Sequence, residues 1–248
     1  MSKTTNLFEI FSSVQGEGIH VGRRQLFVRF SGCNLACEHC DTPESRQSIL
    51  FAHAEHPPGS GRFELVSNPV STRDLAGRIC RMDDDGAHHS ISLTGGEPLL
   101  CADFIAELIP LCGGRRFYLE TNGTLPRELE KVVGLLHTVA MDIKLRSVAG
   151  QATDVKTVRG FLSVASQSAV FVKVVVGDRT TDRELVAAAQ VVAKIGPNIP
   201  FVIQPVTPTS AGPEPPTPEA VLGLQASALA VLEDVRVIPQ VHRLMGQK

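Results

Sequence analysis

The sequence predicts an α/β fold built on a parallel sheet, and three observations support this fold class. Of the 248 residues, 43% are apolar, which is enough to bury one full core. From residue 89 onward, short β-rich runs alternate with helical patterns, an order that implies parallel strands joined by right-handed crossovers. Residues 170–176 are almost wholly apolar, as expected for a strand covered on both faces. We therefore expect a single domain over residues 1–248.

The first part of the chain predicts two strands and then an irregular insertion. Residues 7–11 alternate as a short strand, and residues 25–30 are rich in β-branched and aromatic side chains. Arg29 lies inside the second strand, where it either faces solvent or points inward to an anion, because buried charges need partners. Residues 43–71 lose periodicity, and insertions of this kind often act as lids or recognition segments.

The remaining elements follow from apolar spacing, caps and β-rich runs. Ser71 or Thr72 caps the first helix, whereas Thr181 begins and Gly196 ends a later one. Helices are predicted at residues 72–83, 101–112, 126–137, 153–166, 181–196 and 218–233. Strands are predicted at residues 89–94, 116–120, 138–144, 170–176, 200–204 and 234–242, with a proline-rich loop at 208–218.

Three of the six cysteines lie close together in a CxxxCxxC loop, at Cys33, Cys37 and Cys40. A cubane iron–sulfur cluster normally takes four cysteines, so three would leave one iron with an open position. A structural zinc ion would need a fourth protein ligand, and His39 is badly placed to provide it because it adjoins Cys40. The spacing favours a cluster, with three buried or zinc-bound cysteines as the alternative.

Polar and glycine residues follow the predicted strands, where ligands bind in parallel α/β folds. We therefore expect them to share one edge of the sheet. Each also has a plainer interpretation: a Gly-Gly turn, a structural ion pair, or an ordinary core or surface histidine. Besides the cysteines, the residues are Gly95 to Pro98, Glu120 to Gly123, Asp142 and Lys144, Gln204 and Pro205, and Gln240 and His242.

The cysteine loop resembles that of radical S-adenosylmethionine enzymes. Taken with QGEG, TGGEP, ETNG, DIK, IQP and RVIPQVH, it resembles one family within that group, the 7-carboxy-7-deazaguanine synthases, from Gln15 to His242. The resemblance implies a partial β/α (TIM-like) barrel. It also implies conversion of 6-carboxy-5,6,7,8-tetrahydropterin to 7-carboxy-7-deazaguanine with loss of ammonia, using a [4Fe-4S] cluster, S-adenosylmethionine and Mg²⁺.

Site residues follow from the same resemblance, position by position. It implies cluster ligation by Cys33, Cys37 and Cys40, and magnesium binding by Thr42, whose hydroxyl is a hard ligand that suits this ion. It implies S-adenosylmethionine binding by Gly96, Asp142, Ile143, Lys144, Gln204, Pro205, Val206 and Thr207. It implies substrate binding by Val14, Gln15, Gly16, Arg29, Thr94 and His242.

The resemblance implies no catalytic nucleophile, because the radical comes from the cofactor. One segment departs from the motif pattern of the family. The short segment LMGQK after His242 offers no match to the C-terminal residue that some family members place near the substrate.

Charge and composition indicate which kinds of partner the protein can bind. The formal net charge is -2 and no basic run exceeds two residues, which argues against nucleic-acid binding. No segment approaches the roughly 20 apolar residues of a membrane span, and the isolated Cys80, Cys101 and Cys112 suit a reducing cytoplasm. We expect a pterin substrate, an electron donor such as a flavodoxin, and a homodimer. The alternatives are an activase of a glycyl-radical enzyme and a non-enzymatic, metal-stabilised scaffold.

Overall fold

The computed structural model describes residues 2–208 and 212–248. The strands are β1 Thr4–Thr5, β2 Leu7–Val14, β3 Arg24–Phe30, β4 Phe51–Glu55, β5 Phe63–Ser67, β6 Val70–Ser71, β7 Ser90–Gly95, β8 Phe117–Thr121, β9 Thr138–Ile143, β10 Ala169–Val176, β11 Phe201–Pro205 and β12 Val235–Val237. The helices are α1 Thr72–Met82, α2 Ala102–Leu108, α3 Pro126–Glu130, α4 Arg146–Ala149, α5 Val155–Ala165, α6 Asp182–Ala193, α7 Pro218–Leu229 and α8 Val241–Leu244.

A mostly parallel sheet runs through the described residues in the order β12-β11-β10-β9-β8-β7-β3-β2-β4-β5. Within this order, each pair of neighbouring strands in the run β12-β11-β10-β9-β8-β7-β3 is parallel. In this part of the chain the two outer strands, β12 and β5, do not pair with each other, so the barrel is not closed. The α/β class and the partial barrel are confirmed.

Strand β2 is antiparallel to β3, unlike the parallel core. The connection between Val14 and Arg24 is shorter than the crossover of about a dozen residues that a parallel pair needs. This pair precedes the alternation from residue 89 onward that predicted parallel strands, and its short loop returns the chain antiparallel.

Residues 43–71 are more regular than their sequence indicates. Strands β4 and β5 form an antiparallel hairpin, and β4 extends the sheet beside β2. The buried Glu55 carboxylate accepts N–H groups from Ser12, Gly59 and Gly61 at 2.7 to 2.8 Å, which fixes the hairpin turn. The expectation of an irregular insertion is wrong, because an edge strand exposed along most of its length, such as β5, lacks the apolar alternation that reveals a strand.

The predicted last strand is also too long. Strand β12 ends at Val237, and residues 241–244 form the short helix α8. Pro239 follows the last hydrogen bond of the ladder, from Ile238 N to the Ile203 carbonyl at 3.0 Å. His242 consequently lies on a helix instead of a strand. The proline-rich loop predicted over 208–218 lies partly outside the described residues.

Alternation along the strands divides the apolar side chains between two faces. Most pack between the sheet and the helices in one large core. Tyr118, Ala140, Phe171 and Val202 form a smaller cluster on the inner face. This inner cluster lies under the carboxyl ends of the strands. No helix among the described residues has the length and apolar character needed to span a bilayer.

Candidate active site

A cavity of about 240 Å³ opens at the carboxyl edge of the parallel strands. Tyr118, Ala140 and Phe171 of the inner cluster line it. The structure thus brings most of the sequence-predicted site residues around one space. Those that line the cavity are Val14, Gln15, Gly16, Arg29, Cys33, Cys37, Cys40, Thr94, Gly96, Asp142, Lys144, Gln204, Val206, Thr207 and His242.

Three predicted residues do not line this cavity. The Ile143 side chain is buried in the main core, and Pro205 ends β11. Thr42 precedes the 3-10 turn Pro43–Arg46, and its hydroxyl donates to Asp41 Oδ1 at 3.3 Å. The side chain of Ile143 therefore contributes nothing to the cavity wall.

The cysteine loop is held in place by bonds to other segments. Cys33, Cys37 and Cys40 are free, half-buried thiols. Arg46 Nη2 donates to the Cys37 carbonyl at 2.6 Å. Burial raises the pKa of the Cys33 and Cys37 thiols, so metal binding must displace their protons.

The three cysteines are not arranged around a single ion. No three His, Cys, Asp or Glu side chains in residues 2–208 and 212–248 are grouped to hold one metal ion. The cysteines of a cubane each bind a different iron atom, so this finding concerns single ions only. The three cysteinyl sulfurs of one loop are a donor set that fits the cluster.

The segment after β7 packs directly against the cysteine loop. A Cβ on Gly96 would lie 1.9 Å from the Gly32 carbonyl oxygen, so only glycine fits there. The neighbouring Glu97 N–H donates to that same oxygen at 2.8 Å. This close approach explains why glycine is needed here: without a side chain, the segment can pack its backbone against the cysteine loop.

Glu97 ties two strand ends together. Its buried carboxylate accepts the N–H groups of Leu99 and Asn122 at 3.0 and 2.8 Å, and the Thr121 hydroxyl at 2.9 Å. Burial raises the pKa of Glu97 to about 7, against the effect of these hydrogen bonds. The sequence indicated only that TGGEP and ETNG share an edge, and the structure shows the bonds that join them.

A buried charge network lies on the other side of the cavity. Lys144 and Lys173 lie 2.8 and 3.3 Å from Asp142 Oδ2, and Lys173 also pairs with Glu17. Burial opposes ionisation of Asp142, but the two lysines outweigh it and lower its pKa. Burial also opposes ionisation of Glu17, and the charge of Lys173 nevertheless lowers its pKa to about 2. Sequence reasoning missed the role of Lys173, although a charged residue inside VFVKVVV was an available signal.

Two acceptors of this region have no protein partner. Asp142 Oδ1 and Gln204 Oε1 are buried, and neither has a hydrogen bond within the described residues. Leaving such groups unpaired costs about 1–3 kcal/mol each. Their position in the cavity wall makes them candidate acceptors for a polar ligand.

Three side chains, those of Gln15, Thr94 and Glu120, form a polar wall of the cavity beside the end of β8. Gln15 Nε2 donates to Glu120 Oε1 at 2.8 Å, and the Thr94 hydroxyl donates to Glu120 Oε2 at 2.8 Å. Glu120 therefore faces the cavity with its two oxygens fixed by predicted substrate residues. Its position was predicted, but its contacts were not.

Arg29 points inward, which resolves the two orientations left open by the sequence. It pairs across the sheet with Glu9 on one side and Thr94 on the other. Arg29 Nε donates to Glu9 Oε1 at 2.8 Å, and the guanidinium lies 5.8 Å from the centre of the Phe11 ring. The strand that begins the cysteine loop thus also presents a cation to the cavity.

The end of the chain folds over this cation. Val241 N donates to the Gly16 carbonyl at 2.9 Å, which fixes α8 against the first loop. The side chain of Lys248 lines the cavity and pairs with Glu9. The motifs offered no match for this terminal segment, and the structure shows that the α8 turn carries Lys248 back to β2.

The comparisons with known proteins agree with this geometry. Residues 27–146 match the family model described as the Radical SAM superfamily. Together with the partial barrel and the cysteine loop at its rim, this match defines a radical S-adenosylmethionine enzyme. The cofactors of that class are a [4Fe-4S] cluster and S-adenosylmethionine.

Full-length relatives narrow the class. The chain is 40% identical over 251 residues to the 7-carboxy-7-deazaguanine synthase of Geobacter sulfurreducens, covering 100% of both chains. It is 38% identical over 246 residues to the one of Archaeoglobus fulgidus, covering 97% of this chain and 98% of the relative. The chain belongs to the 7-carboxy-7-deazaguanine synthase family.

A solved structure supports the fold. The crystal structure of QueE from Escherichia coli has a TM-score of 0.62 and 20% identity, covering 96% of this chain and 95% of the other. Family membership confirms the resemblance predicted from the motifs and does not favour the activase or scaffold alternatives. The binding roles of the individual residues stay predictions.

Proposed function

We propose that this protein converts 6-carboxy-5,6,7,8-tetrahydropterin to 7-carboxy-7-deazaguanine with loss of ammonia, in deazapurine (queuosine) biosynthesis. The observation that carries the proposal is one cavity in which the cysteine loop and the inward guanidinium of Arg29 face the same space. The names of the full-length relatives support the same reaction.

The cysteine loop would hold the cluster, and residues at the strand ends beside it would hold S-adenosylmethionine. Cys33, Cys37 and Cys40 would ligate the cluster, which together with S-adenosylmethionine supplies a radical that removes a hydrogen atom from the substrate. The unpartnered acceptors of Asp142 and Gln204 would accept hydroxyl or ammonium hydrogens of the cofactor. The protein contributes orientation and exclusion of side reactions.

The predicted S-adenosylmethionine residues fall into two groups. Asp142, Lys144, Gln204, Val206 and Thr207 present side chains to the cavity, as does the backbone of Gly96. Ile143 and Pro205 do not line the cavity, and for these two residues we propose contact through main-chain atoms only.

Substrate binding is proposed for the polar wall and the inward cation. The Arg29 guanidinium suits the substrate carboxylate, since a planar fork matches two carboxylate oxygens. The Glu120 carboxylate, which accepts hydrogen bonds from Gln15 and Thr94, presents oxygens that suit the N–H groups of a pterin ring. Val14, Gly16 and His242 complete the side formed by the first loop and α8.

Magnesium binding by Thr42 is proposed from the donor chemistry. Its hydroxyl lies beside Asp41 at the end of the cysteine loop, and Mg²⁺ commonly takes one or two protein oxygens with water and substrate. Thr42→Ser should keep the Mg²⁺ dependence of turnover, whereas Thr42→Val should lose it. Equal Mg²⁺ response in both variants would remove Thr42 from this role.

The finer aspects of the proposal concern the protein's surroundings. We propose that it acts in the cytoplasm as a homodimer, on a small molecule, and receives electrons from a donor such as a flavodoxin. Sedimentation of the anaerobic, cluster-loaded protein tests the dimer. Turnover with a reduced flavodoxin in place of dithionite tests the donor.

The reaction is tested with cluster-loaded protein under anaerobic conditions. Incubation with the carboxypterin, S-adenosylmethionine, Mg²⁺ and a reductant should give 7-carboxy-7-deazaguanine and ammonia by mass spectrometry and ammonia assay. Deoxyadenosine formation without the deazapurine would contradict the proposed substrate. A protein-bound glycyl radical formed on an added partner would instead support the activase.

A further inference from the structure

Glu9 holds two cations at the wall of the cavity without lining the cavity itself. Its carboxylate is 3% exposed, and its Oε1 accepts from Arg29 Nε at 2.8 Å. Its Oε2 pairs with the Nζ of Lys248. Both cations line the cavity, so each carboxylate oxygen fixes one of them from behind.

The bond through Nε leaves the far end of the Arg29 guanidinium available. Within residues 2–208 and 212–248, Arg29 makes no other side-chain hydrogen bond than the one to Glu9. The two terminal nitrogens of a guanidinium form the fork that binds a carboxylate with two parallel bonds. Glu9 therefore fixes the direction of the fork while leaving it free.

An aromatic surface supports both cations. The Phe11 ring lies 5.8 Å from the Arg29 guanidinium carbon and 5.2 Å from Lys248 Nζ. Phe11 in turn stacks on Phe27, with centroids 5.0 Å apart and an interplanar angle of 10°. A ring face offers attraction to a cation but no oxygen acceptor. The Phe11 surface therefore leaves the hydrogen-bond donors of both cations for a ligand.

The balance of charge differs between the two sides of the cavity. On the cofactor side, Glu17 and Asp142 match Lys144 and Lys173 in number. On the other side, the single carboxylate of Glu9 pairs with two cations, Arg29 and Lys248, whereas Glu120 is bonded to the neutral side chains of Gln15 and Thr94. The two cations that share one carboxylate favour a ligand of opposite sign.

We propose that Glu9 is a positioning residue that holds Arg29 and Lys248 as a two-cation subsite selecting a singly charged carboxylate on the substrate. The inference rests on the proposed function, because the substrate of that reaction carries one carboxylate. It assigns Lys248 to the subsite as a second cation. Glu9 itself does not touch the ligand.

The test compares binding of two ligands to cluster-loaded protein with S-adenosylmethionine present and no reductant. The ligands are 6-carboxytetrahydropterin and tetrahydropterin, which lacks the carboxylate, and calorimetry gives the affinity ratio. The unaltered protein should prefer the carboxylated ligand by about 10-fold to 100-fold, the range for hydrogen bonds between charged groups. Glu9→Ala should reduce the ratio to near that of Arg29→Ala.

A mutant cycle separates positioning from general damage. Glu9→Ala in a background that carries both Arg29→Ala and Lys248→Met should cause little further loss of the ratio, because Glu9 acts through these two cations. Glu55→Ala provides the matched control, since Glu55 is another buried carboxylate of this region, but it accepts from the N–H groups of Ser12, Gly59 and Gly61 and pairs with neither cation. It should lower stability and leave the preference for the carboxylated ligand unchanged.

Two further variants keep the inference open to refutation if Glu9→Ala fails to load its cluster. Glu9→Gln keeps the shape of the side chain, and Lys248→Met alters a half-exposed residue, so both should fold. Each should reduce the affinity ratio by about 3-fold to 10-fold. An unchanged ratio in these folded variants would overturn the two-cation subsite. If the unaltered protein itself shows no preference and no turnover, the proposed function fails instead.

Discussion

A Cβ atom placed on Gly16 would lie 2.0 Å from the Nδ1 atom of His242. The two residues belong to the first loop and to α8, far apart in the sequence. Val241 N and the Gly16 carbonyl oxygen, 2.9 Å apart, join the same two segments. The absence of a side chain at residue 16 therefore sets the place of the histidine ring at the cavity wall.

Gly16→Ala should push His242 from its position and weaken substrate binding by about tenfold while leaving the cluster intact. Ligand binding and iron content are measured together on the anaerobic protein. Gly160→Ala in α5 is the control, because a Cβ there meets no atom within 4 Å. Unchanged substrate affinity in Gly16→Ala would show that His242 plays no part in binding.

Alanine at Cys33, Cys37 or Cys40 should abolish cluster binding, since a cubane with only two protein thiolates is poorly held. Iron and sulfide analysis and the broad visible absorption report the loss. Cys101→Ala is the matched control, because Cys101 is a half-buried cysteine that contacts Thr5 outside the cavity. A Cys37→Ala protein with full iron and sulfide would contradict the assignment of the loop.

Gln204→Leu should weaken S-adenosylmethionine binding by about tenfold, because it removes an acceptor that has no protein partner. Equilibrium dialysis of the cluster-loaded protein measures the affinity. Gln190→Leu on the exposed face of α6 should leave it unchanged. Equal affinities in the two variants would argue against contact between Gln204 and the cofactor.

Glu97→Ala should lower the free energy of unfolding by about 3 kcal/mol, since it leaves the N–H groups of Leu99 and Asn122 without their acceptor in a buried setting. Urea unfolding followed by circular dichroism measures the change. Glu130→Ala, at the exposed end of α3, should change the free energy of unfolding by less than about 0.5 kcal/mol. A similar loss in both would mean that the Glu97 bonds are not stabilising.

His20 should make the protein less stable as the pH falls. Burial, with the neighbouring His89 and Arg23, lowers the pKa of His20 from 6.5 to about 4. The unfolded chain then binds the proton more tightly, so stability is lost as the pH decreases from about 6.5 to 4 and changes no further from this cause below that. Titration of the imidazole by NMR should give the low pKa. His20→Gln should reduce the slope of stability against pH in that window, and an unaltered slope would contradict the assignment.

The sequence predicted the parts of the fold and site that depend on local patterns. Strands β7 to β11 were found because buried parallel strands are nearly continuous apolar runs, and the cavity residues were found because loops follow those strands. Strand β5 was not found, since exposed edge strands carry little apolar signal. The inward direction of Arg29 could not be read from the sequence either, because it depends on Glu9 in the neighbouring strand.

Contacts between segments far apart in the chain could not be predicted from the sequence either. Lys173 was visible as a charge in an apolar strand, but its partner Glu17 lies in the first loop. Lys248 reaches the cavity only because β12 ends at Val237 and α8 turns the chain back. Each of these depends on tertiary geometry, which residue spacing along one chain does not contain.

The bond between Val241 and Gly16 also has a consequence for the order in which the protein is made. The cysteine loop and the segment at Gly96 that packs against it are synthesised well before residue 241 leaves the ribosome. The segments that receive iron therefore exist while the opposite side of the cavity is still missing, and that side can form only after residue 241 has emerged.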